Sequence, residues 1–141
     1  MQNNISKGKN FMIRSSVVLV YDRPQSKFLL LKRTKEDRWM PEKWGLPGGK
    51  VEKDESYLNG AIRETFEETG LAVKELLHQH TLFTTNLIVN YYITDLYSGN
   101  IVLSPSEHDE YKWFSLPEIK ELGDTTTPDL FSIIEKLLKG F

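Results

Sequence analysis

Strands and helices do not alternate strictly along this chain of 141 residues. Residues 11–21 and 27–32 have the β-branched and aromatic content of strands, and the polar segment 22–26 between them predicts a hairpin. A helix is predicted from about residue 54 to Gly70. Three later strands are predicted at 71–77, 82–97 and 111–115. Because a doubly wound parallel sheet alternates strands with helices, this order instead predicts an α+β fold, a mixed β-sheet with helices packed on its faces.

Two segments precede the predicted helices. Residues 44–49, Trp-Gly-Leu-Pro-Gly-Gly, are too rich in Gly and Pro for regular structure and run directly into the first helix. Near the C-terminus, Thr127 is the predicted N-cap of the last helix, with Pro128 at its first position and Asp129 as an acid in its first turn. The apolar stripe of that helix is Leu130, Ile133, Ile134, Leu137 and Leu138.

The composition excludes several classes of protein. With no Cys, the chain has no disulfide scaffold, thiolate metal site or cysteine nucleophile, so any metal ligand would be an oxygen or an imidazole. A net charge of −2 argues against a duplex nucleic-acid surface, which normally carries a basic excess. The longest apolar run, 17–21, is too short to cross a bilayer. We therefore expect one soluble, cytoplasmic domain over 1–141, with the polar residues 1–10 frayed.

Three glutamates of the first predicted helix share one side. At about 100° per residue, Glu64, Glu67 and Glu68 fall within an arc about 100° wide. Each like-charged pair at these spacings costs about 0.2–0.5 kcal/mol, and the negative end of the helix adds to that repulsion. A divalent cation would reverse this balance, and clustered oxygen ligands suit Mg²⁺ or Mn²⁺. The arc therefore predicts a metal site, with an ordinary solvated acidic face as the alternative.

A separate side of the same helix is apolar. Its members are Leu58, Ala61, Ile62, Thr65 and Phe66. We expect this side to pack on the sheet while the acidic arc faces outward. Gly60 falls inside the acidic arc, where room for a ligand would explain it. Upstream, Gly48 and Gly49 allow the backbone to come close to a metal or a phosphate.

Residues 49–71 match a long motif at fixed spacing. Gly49 is followed by five residues and Glu55, then by seven residues and Arg-Glu-Thr-Phe-Glu-Glu-Thr-Gly-Leu at 63–71. This segment resembles the box of the Nudix hydrolase family, G, five residues, E, seven residues, R-E-U-x-E-E-x-G-U, where U is bulky and apolar. Eight of the nine defined positions match. Thr65 stands where an aliphatic residue is usual, and its β-branched body can still pack.

The resemblance implies both a fold and an activity. The family fold is a mixed β-sheet sandwiched between helices, with the box as a loop–helix–loop. The family activity is cleavage of a nucleoside diphosphate linked to a further group, through attack of water on phosphorus with divalent metals. The pattern is most similar to the MutT-like branch. We therefore expect Mg²⁺, or Mn²⁺ as a substitute, and a small (d)NTP or modified NTP that yields a monophosphate and pyrophosphate.

The resemblance also implies roles for individual residues. The catalytic set would be Arg63, Glu64, Glu67 and Glu68. The three glutamates would bind metal together with the Gly48 carbonyl, and Glu64 is also a candidate general base. The backbone of Gly48 and Gly49 would approach the substrate. Arg63 would orient carboxylates such as Glu55, and a purely structural ion pair between Arg63 and Glu55 is an equal alternative.

Further candidates lie outside the box. Arg33 resembles a position that contacts substrate phosphate in nucleoside triphosphatases of this family. Glu107 or Glu110 could supply another acidic ligand, with solvation or an ion pair as the alternative. His108 is expected to be exposed and incidental. Basic residues that could surround a polyphosphate, or merely keep the loop soluble, are Lys35, Arg38 and Lys43. Aromatic residues that could stack on a base, or belong to the core, are Trp39, Phe83, Tyr91 and Tyr92.

The sequence is also compatible with other substrates and functions. ADP-ribose, a nucleotide sugar or a dinucleoside polyphosphate are alternative substrates, because residues outside the box set substrate choice. Thr126 and Thr127 stand near the start of the last helix, where enzymes for oxidised guanine often have Asn. A nucleotide-binding regulatory module without turnover is an alternative from a different class, and the intact glutamates argue against it. A calcium-binding domain is disfavoured because no D-x-D-x-D-G order is present.

Overall fold

The structure is a computed structural model that describes residues 12–141. The predicted frayed segment 1–10 lies outside the described residues. Within them the strands are β1 (Ile13–Asp22), β2 (Lys27–Arg33), β3 (Trp44–Gly45), β4 (Gly48–Lys50), β5 (Ala72–Lys74), β6 (Leu77–Phe83), β7 (Leu87–Thr94), β8 (Leu96–Ser98) and β9 (His108–Ser115). The helices are α1 (Tyr57–Thr69), α2 (Leu116–Glu121) and α3 (Leu130–Leu138), and a 3₁₀ turn, Gly123–Thr125, lies between α2 and α3.

The main sheet is mixed, as predicted. Its strand order is β3-β2-β1-β7-β6, with β4 also paired to β1 and β9 to β2. Strands β1 and β7 run parallel from Ile13 opposite Leu87 to Val20 opposite Thr94. The other pairs in this sheet are antiparallel. Strands β5 and β8 form a separate two-stranded sheet.

The sheet is buried on both faces, which confirms the predicted sandwich. Residues alternate along β1, where Leu19 packs with one cluster while Val18 and Val20 pack with another. The first cluster includes Ile119 of α2 and residues of α3, and the second includes Ala61 of α1. Alternate side chains of a strand point to opposite faces, so α1 covers one face and α2 and α3 cover the other.

Among residues 12–141, no helix is long and apolar enough to span a membrane.

Strand boundaries differ from the prediction in three places. The predicted strand 82–97 comprises parts of β6, β7 and β8, because the Thr84 N–H donates to the Leu87 carbonyl at 2.9 Å and reverses the chain. The predicted strand 71–77 is interrupted at Glu75, whose φ is 51°. The segment 44–49, predicted to lack regular structure, contains β3 and the start of β4. The predicted β1–β2 hairpin is confirmed, with Asp22 opposite Lys27.

Helix α3 begins two residues later than predicted. Its N-cap is Asp129, which has a φ of 59° and makes no side-chain capping hydrogen bond. Thr127, the predicted N-cap, instead donates its N–H to the Trp44 carbonyl at 2.9 Å, which ties the chain to β3. The apolar stripe is confirmed, because Leu130, Ile134 and Leu137 are buried.

The orientation predicted for α1 is confirmed for Ala61 and Thr65 and wrong for Phe66 and Glu68. The helix starts at Tyr57 because the Ser56 hydroxyl accepts the Asn59 N–H at 3.0 Å. Its buried residues are Gly60, Ala61, Thr65, Glu68 and Thr69. Phe66, expected on the buried side, is 57% exposed, whereas Glu68, expected to face outward, is only 4% exposed. The Thr65 hydroxyl donates to the Ala61 carbonyl at 2.8 Å, so this polar residue is buried without an unsatisfied hydrogen bond.

Candidate active site

Two glycines bring the chain against both β1 and α1. Gly48 lies opposite Val17 and Gly49 opposite Ser16 in the β1–β4 pair. A Cβ on Gly48 would overlap the Ser16 carbonyl oxygen and lie 2.8 Å from the Val17 Cα. A Cβ on Gly49 would lie 2.6 Å from the carboxyl carbon of Glu64. Only glycine therefore allows this backbone to approach the strand and the carboxylate this closely.

Glu68 is the most deeply buried carboxylate of α1. Its Oε1 accepts the Gly48 N–H at 3.0 Å. The pKa of Glu68 is raised to about 9, chiefly by burial; the Gly48 hydrogen bond opposes this rise, and neighbouring Glu107 and Glu64 contribute to it. Without a cation, this carboxyl group is therefore mostly neutral below about pH 9.

Glu64 lies beside Glu68 and is partly buried. Burial raises the pKa of Glu64, contact with Arg63 lowers it, and the charges of Glu67 and Glu107 raise it. The charge of Glu107 therefore disfavours ionisation at both Glu64 and Glu68. Glu67, one turn along the helix, is more open, with a side chain 54% exposed.

Arg63 contacts three carboxylates at once. Its Nε and Nη2 donate to Glu55 at 2.8 and 3.0 Å, and Nη1 donates to Glu64 and Glu67 at 3.1 Å each. Nη2 also donates to the Lys50 carbonyl at 2.9 Å. The bidentate contact with Arg63 holds the pKa of Glu55 down at about 2. Arg63 therefore forms the ion pair with Glu55 and also contacts two carboxylates of the acidic arc.

The oxygen donors of the site suit a divalent cation in their chemistry but are not arranged around one. Within residues 12–141, no three His, Asp or Glu side chains stand in an arrangement ready to hold a metal ion. Glu64 and Glu67 are turned toward Arg63, and Glu68 is turned toward the Gly48 N–H. The chemistry fits nevertheless. All these donors are oxygens, the type that Mg²⁺ and Mn²⁺ prefer, and a cation would offset both the burial and the charge repulsion that raise the pKa of Glu64 and Glu68.

The later acidic candidates are separated by the structure. Glu107 lies close enough to Glu68 and Glu64 to raise the pKa of both. Glu110 lies opposite Lys32 in the β2–β9 pair, and its carboxylate is 3.9 Å from the Lys32 Nζ. Of these two acids, Glu107 therefore belongs to the acidic group and Glu110 to a surface ion pair.

A cavity of about 960 Å³ opens beside the two glycines. Gly48 and Gly49 line one part of it, and Trp39, Tyr91 and Asp129 line others. Nucleotide-sized ligands occupy pockets of roughly 300–1,000 Å³. The acidic group and a cavity large enough for a nucleotide thus meet at the Gly-Gly segment.

The chain also matches the model of a known domain family. The model of the NUDIX domain matches residues 12–137. The chain belongs to the Nudix hydrolase family. Nudix hydrolases generally use divalent metal ions, in agreement with the oxygen donors of α1.

Individual relatives of this Nudix chain differ in how much they share with it. NAD-capped RNA hydrolase NudC of Haemophilus influenzae is 37% identical over 99 residues, which cover 65% of this chain and only 37% of NudC. The asymmetrical bis(5'-nucleosyl)-tetraphosphatase of Caenorhabditis elegans is 28% identical, with 92% of this chain and 99% of that protein covered. The crystal structure of a MutT protein from Methanosarcina mazei Go1 has a TM-score of 0.70 and 33% identity, covering 90% of this chain and 95% of that one.

The substrate-side candidates of this Nudix domain are distributed unevenly. Trp39 and Tyr91 line the cavity, whereas Tyr92 is a core residue and Phe83 is 70% exposed outside the cavity lining. Arg33 also lines the cavity. Among the basic candidates, Lys43 donates to the Asp124 carbonyl at 2.6 Å, and Lys35 and Arg38 do not line the cavity. Gly60 leaves room for neighbouring protein atoms rather than for a ligand, because a Cβ added there would lie 3.1 Å from both Val51 and Glu55.

Two cavity residues were missed or misplaced by sequence reasoning. His108 was expected to be exposed but is only 4% exposed, and its Nδ1 has no hydrogen-bond partner among residues 12–141. Burial lowers the pKa of His108, which therefore stays neutral near pH 7. Asp129 lines the cavity, whereas the sequence pattern places it only in the first turn of the last helix. No periodic signal marks either residue, because His108 precedes the apolar part of β9 and Asp129 lies in a turn.

Proposed function

We propose that this protein is a Nudix pyrophosphohydrolase that cleaves the pyrophosphate bond of a small nucleotide with Mg²⁺, for which Mn²⁺ can substitute. The favoured substrate is a (d)NTP or modified NTP, hydrolysed to the monophosphate and pyrophosphate by a single domain spanning 1–141. One observation carries this proposal. The carboxylates of Glu64 and Glu68 lie against the Gly48–Gly49 segment, and this segment lines a cavity of about 960 Å³.

The metal would be held by oxygens from the box and its surroundings. The proposed ligands are Glu64, Glu67, Glu68 and the Gly48 carbonyl, with Glu107 as an additional acid. When bound, a divalent cation neutralises charge on the phosphate oxygens and lowers the pKa of the attacking water. Releasing Glu64 and Glu67 from Arg63 requires only rotation of side chains, because each contact is a single hydrogen bond of 3.1 Å.

The chain's own residues supply the remaining functions. Glu64 is the proposed general base, because its carboxylate is partly buried beside Gly49, which lines the cavity. Arg63, anchored on Glu55 by two hydrogen bonds, orients the Glu64 carboxylate. The backbone of Gly48 and Gly49 lies on the substrate side, where it can contact phosphate oxygens, and Arg33 lines the same cavity.

The named relatives also support a broader range of substrates. NudC acts on NAD-capped RNA, and the C. elegans relative acts on a dinucleoside tetraphosphate. Their substrates share a pyrophosphate linkage next to a nucleoside. ADP-ribose, nucleotide sugars and dinucleoside polyphosphates therefore remain alternative substrates for the same site, because the cavity residues outside the box select the leaving group.

The test is hydrolysis of a nucleotide panel in Mg²⁺, Mn²⁺ or EDTA. The panel contains canonical and oxidised nucleoside triphosphates, ADP-ribose, a nucleotide sugar and a dinucleoside tetraphosphate. We expect product with Mg²⁺ and none with EDTA, and a rate at least about 100-fold lower for Glu68→Gln, since removal of a catalytic charge-stabilising group costs about that much. Glu110→Gln is the matched control, because Glu110 pairs with Lys32 outside the site. Ligand binding with no product under any condition would contradict the proposal.

A further inference from the structure

We propose that Trp39 is the surface on which the base of the substrate stacks, and that Arg33 is a positioning residue that holds its ring. This inference rests on the proposed function and narrows it, because it requires a substrate with a planar base. It also assigns Trp39 rather than Tyr91 as the aromatic residue that recognises this part of the ligand.

Trp39 combines exposure with a place in the cavity wall. The residue is 52% exposed, although it is one of the largest apolar side chains of the described residues. It lies in the loop between β2 and β3 and lines the same cavity as Gly48 and Gly49. A base at Trp39 and phosphates at the glycines would thus occupy a single cavity. Stacking of a base on an aromatic side chain contributes about 1–3 kcal/mol to binding.

The backbone of Trp39 is fixed on both sides. Its N–H donates to Asp37 Oδ1 at 3.0 Å, and its carbonyl accepts from Arg33 Nε at 2.8 Å. Arg33 Nη2 closes the arrangement with a 2.7 Å contact to Asp37 Oδ2. The loop therefore presents the indole in a preset position, and binding would lose little conformational entropy.

One face of the indole is covered by Arg33. The Arg33 guanidinium carbon lies 4.8 Å from the centroid of the Trp39 ring, within the range of a cation–π contact. Trp39 nevertheless remains 52% exposed and lines the cavity. An exposed aromatic ring held by a guanidinium in a cavity wall is suited to stacking on a nucleobase.

This geometry gives Arg33 a specific role. Its Nε and Nη2 are already engaged by Trp39 and Asp37, so its charge is balanced within the loop. A direct bond to phosphate through these two atoms would require the Asp37 pair to open. Arg33 therefore acts on the ligand through the position of Trp39, and its loss affects base recognition more than phosphate recognition.

The experiment compares a ligand with a base and a ligand without one. The probes are a nucleoside triphosphate whose α–β bridging oxygen is replaced by methylene, and inorganic tripolyphosphate, both with Mg²⁺ and measured by titration calorimetry. We expect Trp39→Ala to raise the Kd of the nucleotide at least about 10-fold, which corresponds to one stacked base. The Kd of tripolyphosphate should not change. Trp39→Phe should fall between wild type and Trp39→Ala.

Two further variants sharpen the result. Phe83→Ala is the matched control, because Phe83 is 70% exposed and is not part of the cavity wall. Arg33→Met should weaken nucleotide binding while leaving tripolyphosphate binding unchanged. Quenching of tryptophan fluorescence by the nucleotide should be present in wild type and lost in Trp39→Phe, although Trp44 and Trp113 remain.

The outcomes separate this inference from the proposed function. Unchanged nucleotide affinity in Trp39→Ala overturns the stacking role, even if the wild type hydrolyses nucleotides. Equal weakening of both probes by Arg33→Met overturns its positioning role and indicates a phosphate contact. Base-dependent binding through Trp39 without hydrolysis in Mg²⁺ or Mn²⁺ supports this inference and contradicts the proposed function.

Discussion

The Glu68 carboxylate accepts a hydrogen bond from the Gly48 backbone N–H at 3.0 Å, which joins α1 to the segment in front of it. The two residues are 20 positions apart in the chain, and their contact buries a carboxylate that helix periodicity alone places on an acidic surface. This contact makes the loop and the helix of the box one unit. The metal chemistry proposed here depends on that unit.

Metal-free stability should depend on pH through Glu68. Because the folded pKa is raised to about 9, the folded state retains a proton that the unfolded state releases at about pH 4.5. The stabilising contribution is fully present below pH 4.5 and is lost as the pH rises toward 9, at a limit of about 1.4 kcal/mol per pH unit. Glu68→Gln lacks this loss, so in EDTA its urea midpoint should exceed that of wild type by more at pH 8.5 than at pH 6. Parallel pH profiles would contradict the assignment.

The Arg63–Glu55 pair predicts the opposite pH dependence. Arg63 holds the pKa of Glu55 down at about 2, so this pair stabilises the fold above about pH 4.5 and the stabilisation is lost as the pH falls from there toward 2. Glu55→Gln should therefore lower the Tm at pH 7 and have a smaller effect at pH 3. Thermal unfolding at both pH values measures this. Glu110→Gln serves as a control, and a Tm difference independent of pH would show that the pair is not coupled to folding.

Substitutions of the two adjacent glycines should have different consequences. In Gly49→Ala, the added Cβ meets the end of the Glu64 side chain, which can rotate away. We expect a folded protein with a small change in Tm and a rate at least about 10-fold lower, because the proposed base is displaced. In Gly48→Ala, the added Cβ meets the backbone of Ser16 and Val17, so the Tm should fall strongly. Circular dichroism and turnover together separate the two, and equal losses of Tm would be inconsistent with this geometry.

Glu67→Gln tests the exposed member of the acidic arc. Its side chain is 54% exposed and contacts Arg63 at 3.1 Å, a surface pair worth about 0–1 kcal/mol, so stability in EDTA should hardly change. If Glu67 binds metal, the increase in Tm on addition of Mg²⁺ should shrink, and turnover should fall by about 100-fold or more. Wild-type turnover with an unchanged Mg²⁺ effect would exclude Glu67 from the metal site.

Much of the fold could be predicted because its signals are local. The β1–β2 hairpin and the stripe of α3 follow from alternation and helical periodicity. The reversal at 84–86, Thr-Thr-Asn, contains neither Gly nor Pro, so the sequence pattern predicts one strand over 82–97. The orientation of α1 was predicted only in part, because its buried side also includes Thr69, whose hydroxyl donates to the Thr65 carbonyl, and Glu68, which accepts the Gly48 N–H. Hydrophobicity alone does not reveal that such residues can be buried.

The sequence by itself determined the spacing of Arg63, Glu64, Glu67 and Glu68, because neighbours within a helix are placed by its repeat of about 3.6 residues. Only the tertiary structure decided how deeply each carboxylate is buried and which distant groups join it. Pairing of β2 with β9 places Arg33 opposite His108, and pairing of β4 with β1 places Gly48 where it meets Glu68. These relationships depend on contacts between segments far apart in the chain, and no local pattern encodes the burial or pKa that results.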